Sequence, residues 1–389
     1  MKAMIVDGSV TKFIRTKNPC RNPAQSSPTT LRLRSPIKHT FQNQKTHTKT
    51  VMKTYIPYSL ILAVAASGMA FGAETAYTTP VGYVTLGDTT AGQPSLKART
   101  DALLTVPVDK ATAYAGLVAS VAGGNQIILQ GTPAFTGTQW TATPFVAKIQ
   151  SGTKSGFYAL ITLNSGNSVT VSLPTGQNLV GIVSGDKIAI KPAWTAKSLF
   201  ASSALPADTE LYQYNGVAPG INVASSSLFV WDGTDWIDGV TGNPSDPIVY
   251  PGELFVLRNV GNSAIPSIVV SGEVPVAGFT NLITNFGAGQ QDLPFGVASP
   301  VDQTLSQAGL VAVASADDEL NIYNNGATGI NKAASTVFVF DGAGWLDAVT
   351  GNPVPSTYTL KAGVGFVYRR AAAKPTITWT ATPSYIPSL

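Results

Sequence analysis

Runs of alternating apolar and polar residues dominate the chain after residue 80. Phe157-Tyr158-Ala159-Leu160-Ile161-Thr162-Leu163 and Ser168-Val169-Thr170-Val171-Ser172-Leu173 flank Asn164-Ser165-Gly166-Asn167, which predicts a hairpin. Lys187-Ile188-Ala189-Ile190-Lys191 predicts another strand. Further on, Leu228–Trp231 and Trp236-Ile237 flank Asp232-Gly233-Thr234-Asp235, a second hairpin with Asp-Gly in its turn. Glu253–Arg258 and Ser267–Val270 read as further strands. Helix is a minor ingredient: Asp109–Ala122, closed by Gly123-Gly124, predicts one short helix, and Asp302–Val311 a second. Many short strands parted by Gly, Pro and Asn predict an all-β fold of sandwich or small-barrel domains.

An internal match organises these strands. Tyr214, Gly220-Ile221-Asn222, Phe229-Val230, Asp232-Gly233, Trp236, Asp238 and Thr241-Gly242-Asn243-Pro244 recur 109 residues later. The later set is Tyr323, Gly329-Ile330-Asn331, Phe338-Val339, Asp341-Gly342, Trp345, Asp347 and Thr350-Gly351-Asn352-Pro353. Asp208-x-Glu210-Leu211 matches Asp317-x-Glu319-Leu320, and Phe255–Arg258 matches Phe366–Arg369 after a two-residue insertion. Units of this length are domains in tandem. The expected division is an N-terminal β domain at 74–186 and two β units at 187–296 and 297–389.

Ahead of them, Met52-Lys53-Thr54 opens an apolar run to Gly72, with small residues at Ala70 and Gly72 or at Gly68 and Ala70. A charged start, short apolar stretch and small-x-small exit predict a cleaved signal peptide at 52–73. Pro57, Ser59, Ser67 and Gly68 interrupt the run, which disfavours an uncleaved membrane anchor and leaves no stable membrane span expected after cleavage. Residues 1–51, rich in Lys, Arg, Thr, Gln and Pro, read as a disordered basic extension, with Met52 a candidate start.

The net charge of +4 misleads. Eleven of the 25 basic residues but one of the 21 acidic ones fall within Met1–Lys53, which leaves 14 basic and 20 acidic in the rest. The folded part is mildly acidic, which argues against nucleic acid. The single cysteine, Cys20, and both histidines, His39 and His47, lie in the leader. The rest therefore has no disulfide, no Cys or His nucleophile pair and no ordinary zinc site. No cofactor or metal is expected.

Candidate chemistry is thin, and no catalytic residue is assigned. Ser151-Gly152-Thr153-Lys154 fits a Ser-x-x-Lys pattern, but Lys154 would have to serve both required motifs. Asp232, Asp235 and Asp238 read as turn formers rather than calcium ligands, since the second set has Gly344 in the middle. Arg258 and Arg369, with Asp232, Asp341, Asp238 and Asp347, recur as structural positions in which an Arg–Asp pair would lock strand register. The Asp317-Asp318-Glu319 run reads as a solvated turn. Trp236 and Trp345 are expected in the core. In the alternative, exposed rings stack on sugar, with Asn222 and Asn331 (and Asn215 and Asn324) supplying polar contacts.

Pro80-Val81-Gly82-Tyr83-Val84, then Gly185-Asp186 through Pro192-Ala193-Trp194, then the duplicated Gly-Ile-Asn and Trp hairpin form a pattern. It resembles an uncharacterised family of exported β-rich proteins from bacteria of the Verrucomicrobia and Planctomycetes kind. The resemblance covers most of 76–370 and implies export and a β fold, with no activity attached. The expectation is an exported, non-enzymatic structural or interaction protein in the periplasm, at the cell surface or outside the cell. Glycans or other envelope proteins are the partners it implies. A carbohydrate-binding array is the alternative, and a carboxylate-dependent glycosidase a more distant one.

Overall fold

The computed structural model describes residues 79–214 and 216–386. The stretches expected to be a basic extension, 1–51, and a signal peptide, 52–73, lie outside the described residues. What is described is strand with two one-turn helices, so the all-β fold class stands.

Two strands come first, β1 (Val81–Thr85) and β2 (Thr100–Leu104). Six more follow: β3 (Tyr114–Ala122), β4 (Gln126–Leu129), β5 (Phe145–Ile149), β6 (Tyr158–Ser165), β7 (Ser168–Ser172) and β8 (Lys187–Pro192). They close into a barrel in the order β3-β4-β7-β6-β5-β8, which leaves no open edge. Val118, Ile127, Ile149, Phe157, Val169 and Ile188 fill its interior.

The chain then runs through β9 (Trp194–Thr195), α1 (Ala196–Leu199), β10 (Glu210–Gln213), β11 (Ser227–Trp231), β12 (Trp236–Asp238), β13 (Ile248–Val249), β14 (Phe255–Asn259) and β15 (Val269–Glu273). The last stretch holds β16 (Phe279–Ile283), β17 (Gln291–Gly296), β18 (Gln303–Thr304), α2 (Leu310–Val313), β19 (Glu319–Ile322), β20 (Thr336–Phe340), β21 (Trp345–Asp347), β22 (Thr359–Leu360), β23 (Gly365–Arg370) and β24 (Ile377–Ala381).

Outside the barrel the strands form two matching sets. One five-stranded sheet runs β12-β11-β10-β14-β2 and the other β21-β20-β19-β23-β17. Ribbon β1-β15 answers β16-β24, and β9-β13 answers β18-β22. Registers agree residue for residue: Glu210 faces Arg258 and Arg258 faces Asp101, as Glu319 faces Arg369 and Arg369 faces Asp292. The first set draws on both sides of the barrel. Its core combines Leu86, Leu96 and Leu104 from before with Trp194, Leu211 and Trp236 from after. The barrel is thus inserted between β2 and β9, where the second set has only the link from β17 to β18. Because Tyr114 pairs with Ile190, the chain enters and leaves the barrel at one place.

These boundaries differ from those expected at 74–186, 187–296 and 297–389. Lys187–Pro192 closes the barrel instead of opening a repeat, and residues 79–108 belong with 193–273. The insertion hid this, because the sequence match is legible only where the two sets are continuous. The helix predicted over Asp109–Ala122 is also corrected. Tyr114–Ala122 is a strand held by β8 on one side and β4 on the other, and this pairing overrides its alanine-rich composition. Asp109 caps nothing. It is buried and ion-paired with Lys148 at 2.7 Å and Lys191 at 3.4 Å, while Lys191 also reaches Glu273 at 2.5 Å. Four charges thereby fasten the barrel to the first sheet set. The helix predicted over Asp302–Val311 is instead β18 followed by a loop, with only Leu310 and Val311 entering α2.

Candidate functional site

Each five-stranded sheet has one face on its own core and the other toward its counterpart. Alternation decides which. Leu211, Leu257 and Ala102 point into the first core, so Glu210, Arg258 and Asp101 point across. In the second sheet Leu320, Tyr368 and Leu293 are core, and Glu319, Arg369 and Asp292 point across. Between the sheets Leu103, Leu254 and Val256 pack with Tyr212, Tyr214, Tyr323 and Val367.

The two halves grip each other reciprocally. The Asp101 N–H donates to the Gly329 carbonyl at 3.0 Å, and the Asp292 N–H donates to Gly220 at 2.9 Å. The Asn331 N–H donates to Asp101 Oδ2 at 2.7 Å, and the Asn222 N–H donates to Asp292 Oδ2 at 2.7 Å. At the far end, Thr105 N–H reaches Gly363 O at 3.1 Å, and Gly296 N–H reaches Gly252 O at 2.9 Å. This explains the recurring Gly-Ile-Asn. Gly220 and Gly329 have φ of 108° and 124°, and Asn222 and Asn331 both have φ of 54°. The first value suits glycine and the second is tolerated by Asn, so the tripeptide aims one carbonyl and one N–H at the same Asp.

Each Asp also takes an arginine fork. Arg258 Nε and Nη2 donate to Asp101 at 2.7 and 3.0 Å, and Arg369 Nε and Nη2 donate to Asp292 at 2.7 and 3.2 Å. The Asp101 hydrogen bonds, with its Coulomb attraction, raise the Arg258 pKa against the opposing effect of burial. Asp101, Asp292, Arg258, Asn222 and Asn331 line a cleft of about 400 Å³ between the sheets, walled by Tyr214, Tyr323, Val256 and Val367 with Lys332 beside them. Two smaller crevices, of about 250 and 140 Å³, share its Tyr214 and Leu254 walls.

The expected residues fall as follows. Arg258 and Arg369 are structural, but their partners are Asp101 and Asp292. Asp232 and Asp341, exposed, and Asp238 and Asp347, half-buried, lie elsewhere and build turns. Asp232 Oδ1 accepts from the N–H groups of Thr234 and Asp235, and Asp238 Oδ1 from those of Val240 and Thr241. Asp341 and Asp347 repeat both patterns. Those N–H bonds hold all four carboxyls below the usual carboxylate range. Among the described residues no group of three or more metal-ligating side chains converges.

Trp236 and Trp345 are 0% and 5% exposed, inside the first and second cores. They offer sugar no ring face. Asn222 and Asn331 come to the cleft rim, but through their backbone, while Asn331 Oδ1 accepts from Arg258 at 2.6 Å. Asn324 is a turn former, and Asn215 lies outside the described residues. The acidic run at 317–319 is not a solvated turn. Asp318 is fully buried and accepts from Arg370 at 2.5 Å, from the Tyr368 hydroxyl at 2.5 Å and from two backbone N–H groups.

Comparisons with protein-family models, curated proteins and solved structures find no match to this chain. Sequence reasoning missed Asp101 and Asp292, the acids on which the interface turns. Neither lies in the matched stretch. The recurring acids of the hairpins drew the expected Arg–Asp pairing to the wrong partners.

Uncommitted polar groups at the cleft are few. The hydroxyls of Tyr214, Tyr323 and Tyr250 and the carboxyl of Glu253 make no hydrogen bond or ion pair among the described residues. Burial raises the Tyr214 and Tyr323 pKa values, with Asp101 and Asp292 adding to the effect. Both stay neutral hydrogen-bonding groups at physiological pH.

Proposed function

We propose that this is an exported, non-enzymatic interaction protein of the cell envelope or exterior. Two duplicated β units form its platform, and the inserted barrel extends it. The observation that carries the reading is the use made of the recurring charged residues. Arg258, Arg369, Asp101 and Asp292 are engaged in holding the halves together, and Asp232, Asp238, Asp341 and Asp347 in shaping turns. A duplicated catalytic unit would be expected to leave a recurring acid or nucleophile facing its cleft. Here the recurring groups facing the cleft without partners are two tyrosines, Tyr214 and Tyr323. That composition suits binding better than bond cleavage.

The signal-like segment at 52–73 supports export, and the low charge of 12% with no Cys or His after residue 47 agrees with it. Among the described residues no helix is long and apolar enough to cross a membrane. The partners this reading implies are glycans or envelope proteins. The burial of Trp236 and Trp345 removes the ring-stacking basis for a carbohydrate-binding array, so a protein partner is favoured.

The test is fractionation of cells producing the full chain, with N-terminal sequencing of the protein recovered outside the cytoplasm. Export predicts a mature start at Phe71 or Ala73. Retention in the cytoplasm with residues 52–73 intact would refute it.

A further inference from the structure

The two halves match closely, so the places where they differ around their shared axis are informative. Beside β2, Leu103 exchanges both backbone hydrogen bonds with the Asn325 side chain, N–H to Oδ1 at 2.9 Å and Nδ2 to O at 3.0 Å. Leu104 bridges to Val364. Asn325 is buried there and the space is filled. On the opposite side the residue answering Leu103 is Pro294, which has no N–H to satisfy. The residue answering Asn325 is Gly216, and the one answering Val364 is Glu253, bridged to Phe295.

Three differences therefore fall on one spot. They replace a packed, neutral contact with an open crevice that holds a carboxyl.

Glu253 is the only charged side chain lining either of the crevices of about 250 and 140 Å³. No lysine, arginine or hydrogen-bond donor answers it among the described residues. Tyr214, Phe286 and Pro294 wall the larger crevice beside the polar Thr175, Gln177 and Asn281, and Tyr214 and Tyr250 wall the smaller, while Leu293, Phe295 and Phe255 turn into the cores. An anion would find no cation here. A lone carboxylate offers too few oxygens for calcium or magnesium. A cation on an aliphatic stem meets every requirement, since the stem covers the apolar wall, the charge meets Glu253 and the ring faces add cation–π attraction.

We propose that the crevice formed by Glu253, Tyr214, Gly216 and Pro294 binds an alkylammonium chain, that is, a linear primary amine such as a lysine side chain or a diamine. Enclosure by the walls pushes the Glu253 carboxyl up to about 7, although the residue keeps an exposed surface that lets water moderate the effect. A carboxyl in that condition gains most from an incoming cation. The inference does not depend on export or on the absence of catalysis.

Isothermal titration calorimetry of the full chain against cadaverine and against Nα-acetyl-lysine methylamide, with 1,5-pentanediol as the uncharged control, tests it. At least one amine is expected to bind and the diol not to. Binding of cadaverine alone identifies a free diamine as the ligand type, and binding of the blocked lysine identifies a peptide. Glu253→Gln should weaken binding at least tenfold. Gly216→Asn should do the same with the charge retained, because the nearest atom to a Cβ at Gly216 is Pro294 Cδ at 3.7 Å, so the new side chain fits and fills the crevice as Asn325 does opposite. Should neither amine bind, or should both variants keep wild-type affinity, the proposal is overturned.

Discussion

Asn331, on a loop of the second half, donates its backbone N–H to the Asp101 carboxylate of the first half at 2.7 Å, and the halves return the contact through Asn222 and Asp292. Neither half completes its own arginine site. Asp101 and Asp292 each accept from an arginine of their own sheet and from a loop of the other, so local order and assembly rest on the same two carboxylates. Their side chains are 5% and 12% exposed and those of Arg258 and Arg369 16% and 17%, which makes these pairs dry enough to matter. Replacing Asp101 or Asp292 with Asn should each cost about 2–3 kcal/mol, near the value for hydrogen bonds to charged groups. Denaturant titration of the two variants checks it, and near-equal losses are expected because the sites are equivalent.

Arg370 presents a harsher case. It is 1% exposed and faces Asp318 at 0%, with Tyr368 donating to the same oxygen as the guanidinium. The first half has Asn259 and Thr209 in these places, neutral groups with Asn259 bonded to the carbonyls of Lys97 and Ser263. Asp318→Ala would leave a buried guanidinium without its counter-ion and should cost about 3–5 kcal/mol. The Tyr368 phenol is pushed far up by burial, aided by Asp318. Absorbance titration at 295 nm should find it un-ionised at pH 11 in the wild-type protein.

The barrel junction sets a pH limit. Burial pushes the Asp109 carboxyl up, but the charges of Lys148 and Lys191 outweigh it, and the net position lies below the ordinary value. Glu273 is likewise held down by Lys191 and Thr112 against its burial. A carboxyl depressed in the folded state contributes stability above its unfolded-state value, and this is lost as pH falls through the folded value. Glu253 has the opposite sign. With its carboxyl raised to about 7, stability falls as pH climbs from near 4.5 toward 7. Thermal melting across pH should therefore show a loss below about pH 4 that Lys191→Met removes in part, and a shallow decline from about pH 5 to 7 that Glu253→Gln abolishes.

Trp236 packs against Phe200 and Trp231, and Trp345 against Phe340 and Tyr368. Truncating either to Ala should cost about 3–5 kcal/mol through the cavity left behind. A glycan array probed with the wild-type protein should show no binding that depends on these rings, and acrylamide should quench their fluorescence poorly.

Much of the fold was legible where the code is local. The hairpin at 157–173, the strand from Lys187 and the Asp-Gly turns at 232 and 341 are written in alternation and turn chemistry, and they stand in the structure. The strand at Tyr114–Ala122 was misread as helix because its partners β4 and β8 decide its form, and β8 lies some 70 residues away. Asp101 escaped notice for a related reason. The barrel separates it from Arg258 by 157 residues, so no spacing pattern connects them. The Trp-for-core reading needed only repetition beside a β-turn. The functional crevice could not be read at all, since it arises from Gly216, Glu253 and Pro294, which meet only when two halves fold onto each other.

Native-state hydrogen exchange on the Asp292→Asn variant tests the interlocked platform most directly. Asp292 lies in the second sheet, and its loss frees the Asn222 loop of the first. The account predicts that amides of β10 and β14 lose protection together with those of β19 and β23, while β3–β8 keep theirs. Unchanged protection in β10 and β14 beside a weakened second sheet would contradict it, and would make the halves independent domains.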